Sequence, residues 1–321
     1  MIKLTIIIPI YNVEAYVGRC IESCLKQDLE REEYELLIIN DGSLDGSMDV
    51  VRQHAQQYDN IRIIEQKNAG PSVARNHGIQ DARGEYLWFI DSDDDISENV
   101  LKTLVDAATN QNLDVLCFDI NVFEHGCLTF THPKQSEKNQ QLYTGIEFIS
   151  EVGMPPSGCV ALYKKDFLIE NSLSFINGIS HEDYEFTPRA YCLAKRIAYV
   201  NVPAYNYWVR EGSRQTSTKS AVIAKKAKDW LVICDSLYQF TKKHLDEGTP
   251  AYRTMIGKIN FAFSQSLRNY TKGGSTIAEY KKKPYYPLDI SVEGEKRNRW
   301  KYRLINLSIP IYLLMHKMFK R

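Results

Sequence analysis

Two periodicities alternate along the first 120 residues of the chain. Leu4–Ile10 is a continuous, β-branched apolar run, the pattern of a strand covered on both faces. Val13–Gln27 then sets Val13, Tyr16, Val17, Cys20, Ile21, Cys24 and Leu25 on one helical stripe. The same alternation predicts strands at Glu35–Asn40, Ile61–Glu65, Tyr86–Ile90 and Asp114–Asp119. It predicts helices through Met48–Tyr58, Pro71–Gln80 and Ser97–Asn110. Strand and helix in that order make βαβ units and a mostly parallel, doubly wound α/β sheet, whose ligands bind at the carboxyl ends of the strands.

Beyond residue 120 the pattern loosens. Val122–Thr144 is polar and hairpin-like. Glu147–Val152, Lys165–Asn171 and Glu182–Cys192 have helical spacing, and Ile197–Val200 and Tyr205–Val209 have strand spacing. From Lys219 the pattern is helical, with two long helices expected over Lys219–Glu247 and Tyr252–Tyr270. Gly273–Gly274 and Lys281–Glu295 read as linker. Three regions result: 1–120, 121–218 and a helical extension over 219–321.

At 44% hydrophobic and 25% charged residues, the 321-residue chain is of ordinary globular type, which excludes disordered, collagen-like and disulfide-scaffold classes. Forty basic and forty acidic residues cancel, but not evenly along the chain. Up to Thr218 there are 19 basic and 32 acidic residues, a net of −13; from Lys219 there are 21 and 8, a net of +13. The seven cysteines are scattered without a Cys-x-x-Cys pair and mostly lie in apolar runs, as buried thiols of a reducing cytoplasm do. The apolar start, lacking a small-residue cleavage site, reads as a first strand rather than a signal peptide.

The predicted strand ends carry the chemistry. Pro9-Ile10-Tyr11-Asn12-Val13-Glu14 closes the first strand, and Asn40-Asp41-Gly42-Ser43-Leu44-Asp45 closes the second. Lys67-Asn68-Ala69-Gly70-Pro71 follows the third, leading to Arg75, and Asp91-Ser92-Asp93-Asp94-Asp95 follows the fourth. Asp45 and Ser97 fit as helix caps. Capping does not account for four carboxylates between positions 91 and 95, which repel unless a cation neutralises them. Asp91 and Asp93 lie two apart on extended backbone and share a side, Asp93 suited to a hard divalent ion and Asp91 to a sugar hydroxyl. No Gly-x-x-x-x-Gly-Lys-Ser or Gly-x-Gly-x-x-Gly loop is present, which disfavours ATPase and nicotinamide readings. A metal–diphosphate site without either loop suits a nucleotide used as a leaving group.

PIYN, INDGSLDGS, KNAGPSVARNHGI, DSDD and HEDYEF, in that order, resemble the family 2 inverting glycosyltransferases with a GT-A fold, in particular the enzymes of bacterial surface polysaccharides (capsule, exopolysaccharide, lipopolysaccharide). The resemblance covers roughly residues 1–215. It implies a nucleotide-sugar-binding half in 1–120 and an acceptor-binding and catalytic half in 121–218. It also implies transfer from a nucleoside diphosphate-sugar, a UDP-sugar, to a hydroxyl of a glycan or lipid-linked glycan. By resemblance, Tyr11 flanks the base with Pro9, Asn12 and Glu14 close by, and Asp41 reads the uracil N3–H. Lys67 and Asn68 precede Arg75, which reaches the nucleotide; Asp91, with Ser92 beside it, meets the ribose. Asp93 holds Mg2+ or Mn2+ on the diphosphate.

The general base implied is Asp183, with Glu182 second; the same pair could instead supply negative charge to a helix N-terminus. The Tyr207–Arg214 segment is similar to the family's Tyr-Arg…Gly-Ser stretch, so Arg210 and Arg214 could clamp diphosphate or an anionic acceptor, or be solvated loop residues. His181 is either a third metal ligand or a surface residue. At the end of the chain, Leu304–Met315 is apolar with basic flanks and too short to span a bilayer. One reading lays 296–321 in the interface of the inner membrane leaflet; the other packs it on the protein's own core. A sugar nucleotidyltransferase or an inactive nucleotide- or glycan-binding module are the alternatives. Nucleic-acid binding ranks last for want of a motif.

Overall fold

The computed structural model describes residues 1–132, 136–155, 157–210, 220–270, 275–292 and 299–318. Its contacts divide into two compact units, Met1–Gly178 with Ala190–Arg210, and Ile179–Arg189 with Glu211–Arg321.

The first unit opens with the expected alternation: β1 (Leu4–Ile10), α1 (Glu14–Leu25), β2 (Tyr34–Asn40), α2 (Ser47–Ala55), β3 (Ile61–Glu65), α3 (Pro71–Asp81) and β4 (Tyr86–Phe89). The four strands run parallel in the order β3-β2-β1-β4. Every residue of β2 and β4 is buried, as strands covered on both faces must be. Beyond β4 the sheet turns mixed. A short β5 (Asp95–Ile96) precedes α4 (Leu101–Asn110), β6 (Val115–Glu124), β7 (Cys127–His132), β8 (Leu142–Tyr143), α5 (Gly145–Glu151), β9 (Ala161–Lys164) and α6 (Lys165–Glu170). α7 (Glu182–Leu193) and β10 (Ile197–Val209) complete it, and the division between the units passes through α7. The order continues as β4-β9-β6-β10-β5, with β9 antiparallel to both neighbours and β10 parallel to β6.

Two local expectations change and a third holds. Ser97 does not cap α4: β5 pairs with β10 and keeps the chain extended, so the helix starts at Leu101. The Ser97 hydroxyl donates to the Pro203 carbonyl at 2.6 Å, and Gln27 Oε1 accepts from the Val100 and Leu101 amides instead. Asp45 does serve helix N-termini, accepting from Ser47 N of α2 and Glu14 N of α1, both at 3.1 Å. The two strands expected over 197–209 are one, because register shifts on either side of Pro203 absorb its missing N–H.

The second unit holds α8 (Ser220–His244), α9 (Pro250–Arg268), α10 (Ile277–Lys281), α11 (Arg299–Leu307) and α12 (Ile309–Met318). In α11 and α12 the apolar residues form two stripes. Tyr302, Ile305, Ile309 and Tyr312 are buried, and α12 packs on α9. Trp300, Leu307, Ile311, Leu314 and Met318 recur at the same spacing on the other side and are exposed. Packing on the protein's own core is therefore met by one stripe only. Among the described residues no helix is long and apolar enough to cross a membrane. Of the seven cysteines, all free, Cys127 is exposed and the others buried.

Candidate active site

The loops after β1 and β2 are tied to each other by side chains. Asn12 adopts φ +51, and its Oδ1 accepts from Leu44 N at 2.8 Å. Glu14 Oε2 accepts from Gly46 N at 3.1 Å, so closely that a Cβ on Gly46 would collide with it. Asn12 and Glu14 thus brace one loop against the other. Tyr11, 47% exposed, presents its ring to solvent at the strand end, and Pro9 sits inside β1 opposite Ile39.

Asp41 is buried and heavily engaged. Its Oδ1 accepts from Gln66 Nε2 at 2.8 Å and Ala69 N at 2.7 Å; its Oδ2 accepts from Gly70 N at 2.8 Å. Gly70, at φ +91, is the N-cap of α3 and Pro71 follows it. Asn68 Nδ2 donates to the Asp41 carbonyl at 3.0 Å, while Lys67 is exposed. Asp41 therefore clamps the loop between β3 and α3, a role that its position in the sequence did not announce.

The acidic loop after β4 sorts its carboxylates into two pairs. Asp94 and Asp95 are buried and bound to β10. Asp94 accepts from Tyr205 Oη at 2.6 Å and Trp208 N at 2.9 Å; Asp95 accepts from Asn206 Nδ2 at 2.8 Å and Trp208 Nε1 at 2.7 Å. Burial, with Asp91 and Asp93 beside it, pushes the Asp94 carboxyl well above the usual carboxylate range. Asp91 and Asp93 are more open, with side chains 40% and 26% exposed, and each meets an arginine. Arg75 Nη2 lies 2.5 Å from Asp91 Oδ1, and Arg210 Nε 2.6 Å from Asp93 Oδ2. Burial and then Asp91 raise the pKa of Asp93. Arg75 also covers the Phe175 ring and Arg210 the Tyr16 ring. Ser92 is buried between the two carboxylates.

Arg19 belongs to this site and went unnoticed in the sequence. Its Nε lies 3.0 Å from Asp95, its Nη2 donates to the Asp93 carbonyl at 2.8 Å, and its guanidinium covers the Trp208 ring at 4.4 Å. Tyr205 was missed likewise: its hydroxyl accepts from Asp91 N at 3.3 Å and donates to Asp94. The signal was the excess of carboxylates, since four in one loop require donors, and Tyr205–Arg210 is rich in them. Arg214 lies outside the described residues. Among those residues no group of three or more His, Cys, Asp or Glu is gathered to hold a metal by itself.

Glu182 and Asp183 belong to the second unit, in the first turn of α7. Glu182 is buried; Asp183 is half-buried and its Oδ1 accepts from Tyr184 N at 2.8 Å. His181 does not stand as a bare surface residue: its ring stacks on Trp230.

Residues 5–171 match the model of glycosyl transferase family 2, and the chain belongs to that family. The "Uncharacterized glycosyltransferase YibD" of Escherichia coli K12 is 32% identical over 222 residues, 66% of this chain and 62% of that protein. The poly(ribitol-phosphate) beta-glucosyltransferase of Bacillus spizizenii W23 is 30% identical over 218 residues, 67% of this chain and 33% of that one. The chain thus spans less than two thirds of either relative. Residues 1–349 of S. aureus TarS, solved with UDP-GlcNAc, share the fold with a TM-score of 0.64 at 21% identity, over 99% of this chain and 92% of that one. The mannosyltransferase PcManGT from Pyrobaculum calidifontis, solved with GDP-Man and Mn2+, gives 0.56 at 15% identity, over 98% and 86%. The GT-A fold with a C-terminal helical extension, expected from the motifs, is the fold found.

Proposed function

We propose that the protein transfers a sugar from a nucleoside diphosphate-sugar, a UDP-sugar, to a hydroxyl of a glycan or lipid-linked glycan, with inversion, in the assembly of a cell-surface polysaccharide. The observation that carries the reading is the pairing of Asp91 with Arg75 and of Asp93 with Arg210 at the end of β4 in a family 2 domain. The UDP-GlcNAc bound by TarS and the polymer named for the Bacillus spizizenii relative support the donor and the pathway class.

In this reading Tyr11 lies along the base with Pro9, and Asn12 and Glu14 keep that loop in place. Asp41 keeps one acceptor lone pair on Oδ2 for a ring N–H, after its bond to Gly70 N. Lys67 and Asn68 from the next loop and Arg75 from α3 face the nucleotide, Asp91 and Ser92 the ribose, and Arg210 and Arg214 the diphosphate or an anionic acceptor. Asp93 is a partly buried carboxylate whose pKa is raised by burial and then by Asp91, and a hard divalent ion beside it would favour its charged form together with Arg210. Asp93 would hold that ion, Mg2+ or Mn2+. When bound, it neutralises charge on the departing nucleoside diphosphate. Asp183 takes the proton of the acceptor hydroxyl as that oxygen attacks the anomeric carbon opposite the diphosphate; Glu182 is the second candidate.

The purified chain, assayed for UDP or GDP release from a panel of UDP- and GDP-sugars with and without Mn2+, tests the reading. Metal-dependent release is expected, falling about 100-fold or more in Asp183→Asn with donor binding retained. An Asp183→Asn protein that turns over as fast as wild type would refute the assigned base.

Residues 296–321 place the enzyme against the inner face of the cell membrane, where a lipid-linked acceptor would lie. The segment holds eight basic and no acidic residues, and the exposed stripe from Trp300 to Met318 runs through it. Basic charge beside a shallow apolar stripe complements an anionic lipid surface.

A further inference from the structure

The residues around the proposed base are fastened, within the second unit, to α8 and α9. Ser180 N donates to Asp229 Oδ2 at 2.9 Å, and the same carboxylate oxygen accepts from Lys225 Nζ at 2.6 Å. His181 holds φ +62, a left-handed conformation that is strained for a non-glycine residue and persists only where its surroundings enforce it. Its ring stacks on Trp230, with centroids 4.5 Å apart and planes 23° from parallel.

On the other side of Asp183, Tyr184 meets Trp230 edge-on at 5.2 Å and lies over Phe261 at 5.6 Å. Its hydroxyl donates to the Lys258 carbonyl at 3.1 Å. The buried Glu185 carboxylate is held by both arms of the Arg189 fork, at 2.6 and 2.7 Å, and by Ser236 Oγ at 2.5 Å. Four of the residues flanking Glu182-Asp183 are thus anchored on helices that begin at Ser220, well past residue 171, where the family match ends.

We infer that Asp229 and Trp230 of α8 are positioning residues for catalysis: they fix the Ser180-His181 backbone and thereby the direction in which Asp183 presents its carboxylate. The inference rests on Asp183 being the base. Its physical basis is geometric. Without the indole, His181 relaxes toward an ordinary negative φ, and a backbone rotation of that size at the residue before Glu182 re-aims both carboxylates. A misplacement of about 1 Å in a reacting group costs up to roughly 100-fold in rate.

The test uses the full chain, with UDP release from UDP-glucose and UDP-GlcNAc, UDP binding by calorimetry, and amide exchange of residues 179–186. Trp230→Leu and Asp229→Ala are expected to lower kcat about 10- to 100-fold, leave donor KM and UDP affinity within twofold, and speed exchange in 179–186. Trp230→Phe and Asp229→Asn, which keep a stacking ring and an acceptor oxygen, restore most of the rate. Asp183→Asn/Asp229→Ala is expected to be no slower than Asp183→Asn alone, because Asp229 acts through Asp183.

Folded variants with kcat within threefold of wild type, unchanged exchange, losses that add in the double variant, or a fall in UDP affinity matching the fall in kcat each overturn the inference. Should Trp230→Leu fail to fold, Asp229→Ala decides alone. The two levels separate cleanly: an active Asp183→Asn removes the base, whereas an inactive Asp183→Asn beside fully active Asp229 and Trp230 variants removes only the positioning.

Discussion

Replacing Asp41 by Asn separates two roles for one residue. The side chain keeps its shape, but one oxygen becomes an NH2 donor. Asp41 receives three donors, two on Oδ1 and one on Oδ2, so no orientation of an amide satisfies them all. The least costly orientation turns the NH2 toward Gly70 N and leaves that part-buried backbone donor unmet, at about 1–2 kcal/mol. The bonds from Gln66 and Ala69 survive but lose their charge assistance, which adds roughly 1 kcal/mol. Pro71, at the start of α3, limits how far the loop can swing to compensate. A loss of about 2–3 kcal/mol follows, or roughly 4–12 °C in Tm for a domain of this size. Thermal unfolding and calorimetric titration with UDP, on the same preparation, provide the assay. If Asp41 served the base alone, UDP affinity would fall with stability intact. Unfolding of Asp41→Asn within 0.5 kcal/mol of wild type would show that the three hydrogen bonds do not clamp the loop.

Three further predictions concern other parts of the molecule. Gly145→Ala, whose Cβ would stand 1.7 Å from the Tyr191 carbonyl, is expected to cost about 3 kcal/mol or more in urea unfolding, whereas Gly257→Ala, with nothing within 4 Å, is neutral or gains up to about 1 kcal/mol; equal effects at the two sites would contradict the packing described. Burial raises the Glu35 carboxyl, but the Arg62 pair and bonds from Arg83 N and Thr5 Oγ1 outweigh it and leave the pKa below its ordinary 4.5, so its contribution is full above that value and lost as pH falls through the lower folded one. The Tm gap between wild type and Glu35→Gln should therefore be constant from pH 6 to 8 and narrow as pH falls below the ordinary 4.5, and a gap that widens in acid would reverse the assigned sign. Leu307→Glu/Leu314→Glu alters side chains 78% and 62% exposed, so helicity should hold while sedimentation with anionic vesicles drops at least tenfold; undiminished sedimentation would remove the membrane assignment.

Much of the region 1–120 was legible from residue order. Apolar runs at Leu4–Ile10 and Tyr34–Asn40 can be buried only as two-sided strands, and the polar residues that end them must fall at the carboxyl edge of the sheet. The clustering of Asp91, Asp93 and Arg75 follows from that topology, because α3 crosses from β3 over β2 and β1 to β4 and carries Arg75 to the loop after β4. The motifs that resemble the family are likewise local, and four of the five fall within the matched residues 5–171.

Other features were decided by contacts between residues distant in sequence. Nothing in Asp91–Asp95 tells which carboxylates stay open; β10 does, by spending Tyr205, Asn206 and Trp208 on Asp94 and Asp95. Asp41, Asn12 and Glu14 resemble ligand contacts in the sequence, yet their partners lie in neighbouring loops that only the folded chain brings within 3.1 Å. The 296–321 segment carries two apolar stripes of equal spacing, and composition cannot say which one the core takes. Periodicity and motif order are properties of neighbouring residues, so the sequence alone determined β1 to β4, the order of the chemistry at their ends and the family. Which polar group is bound and which is presented depends on where the chain's other donors come to rest, and the tertiary structure settled that.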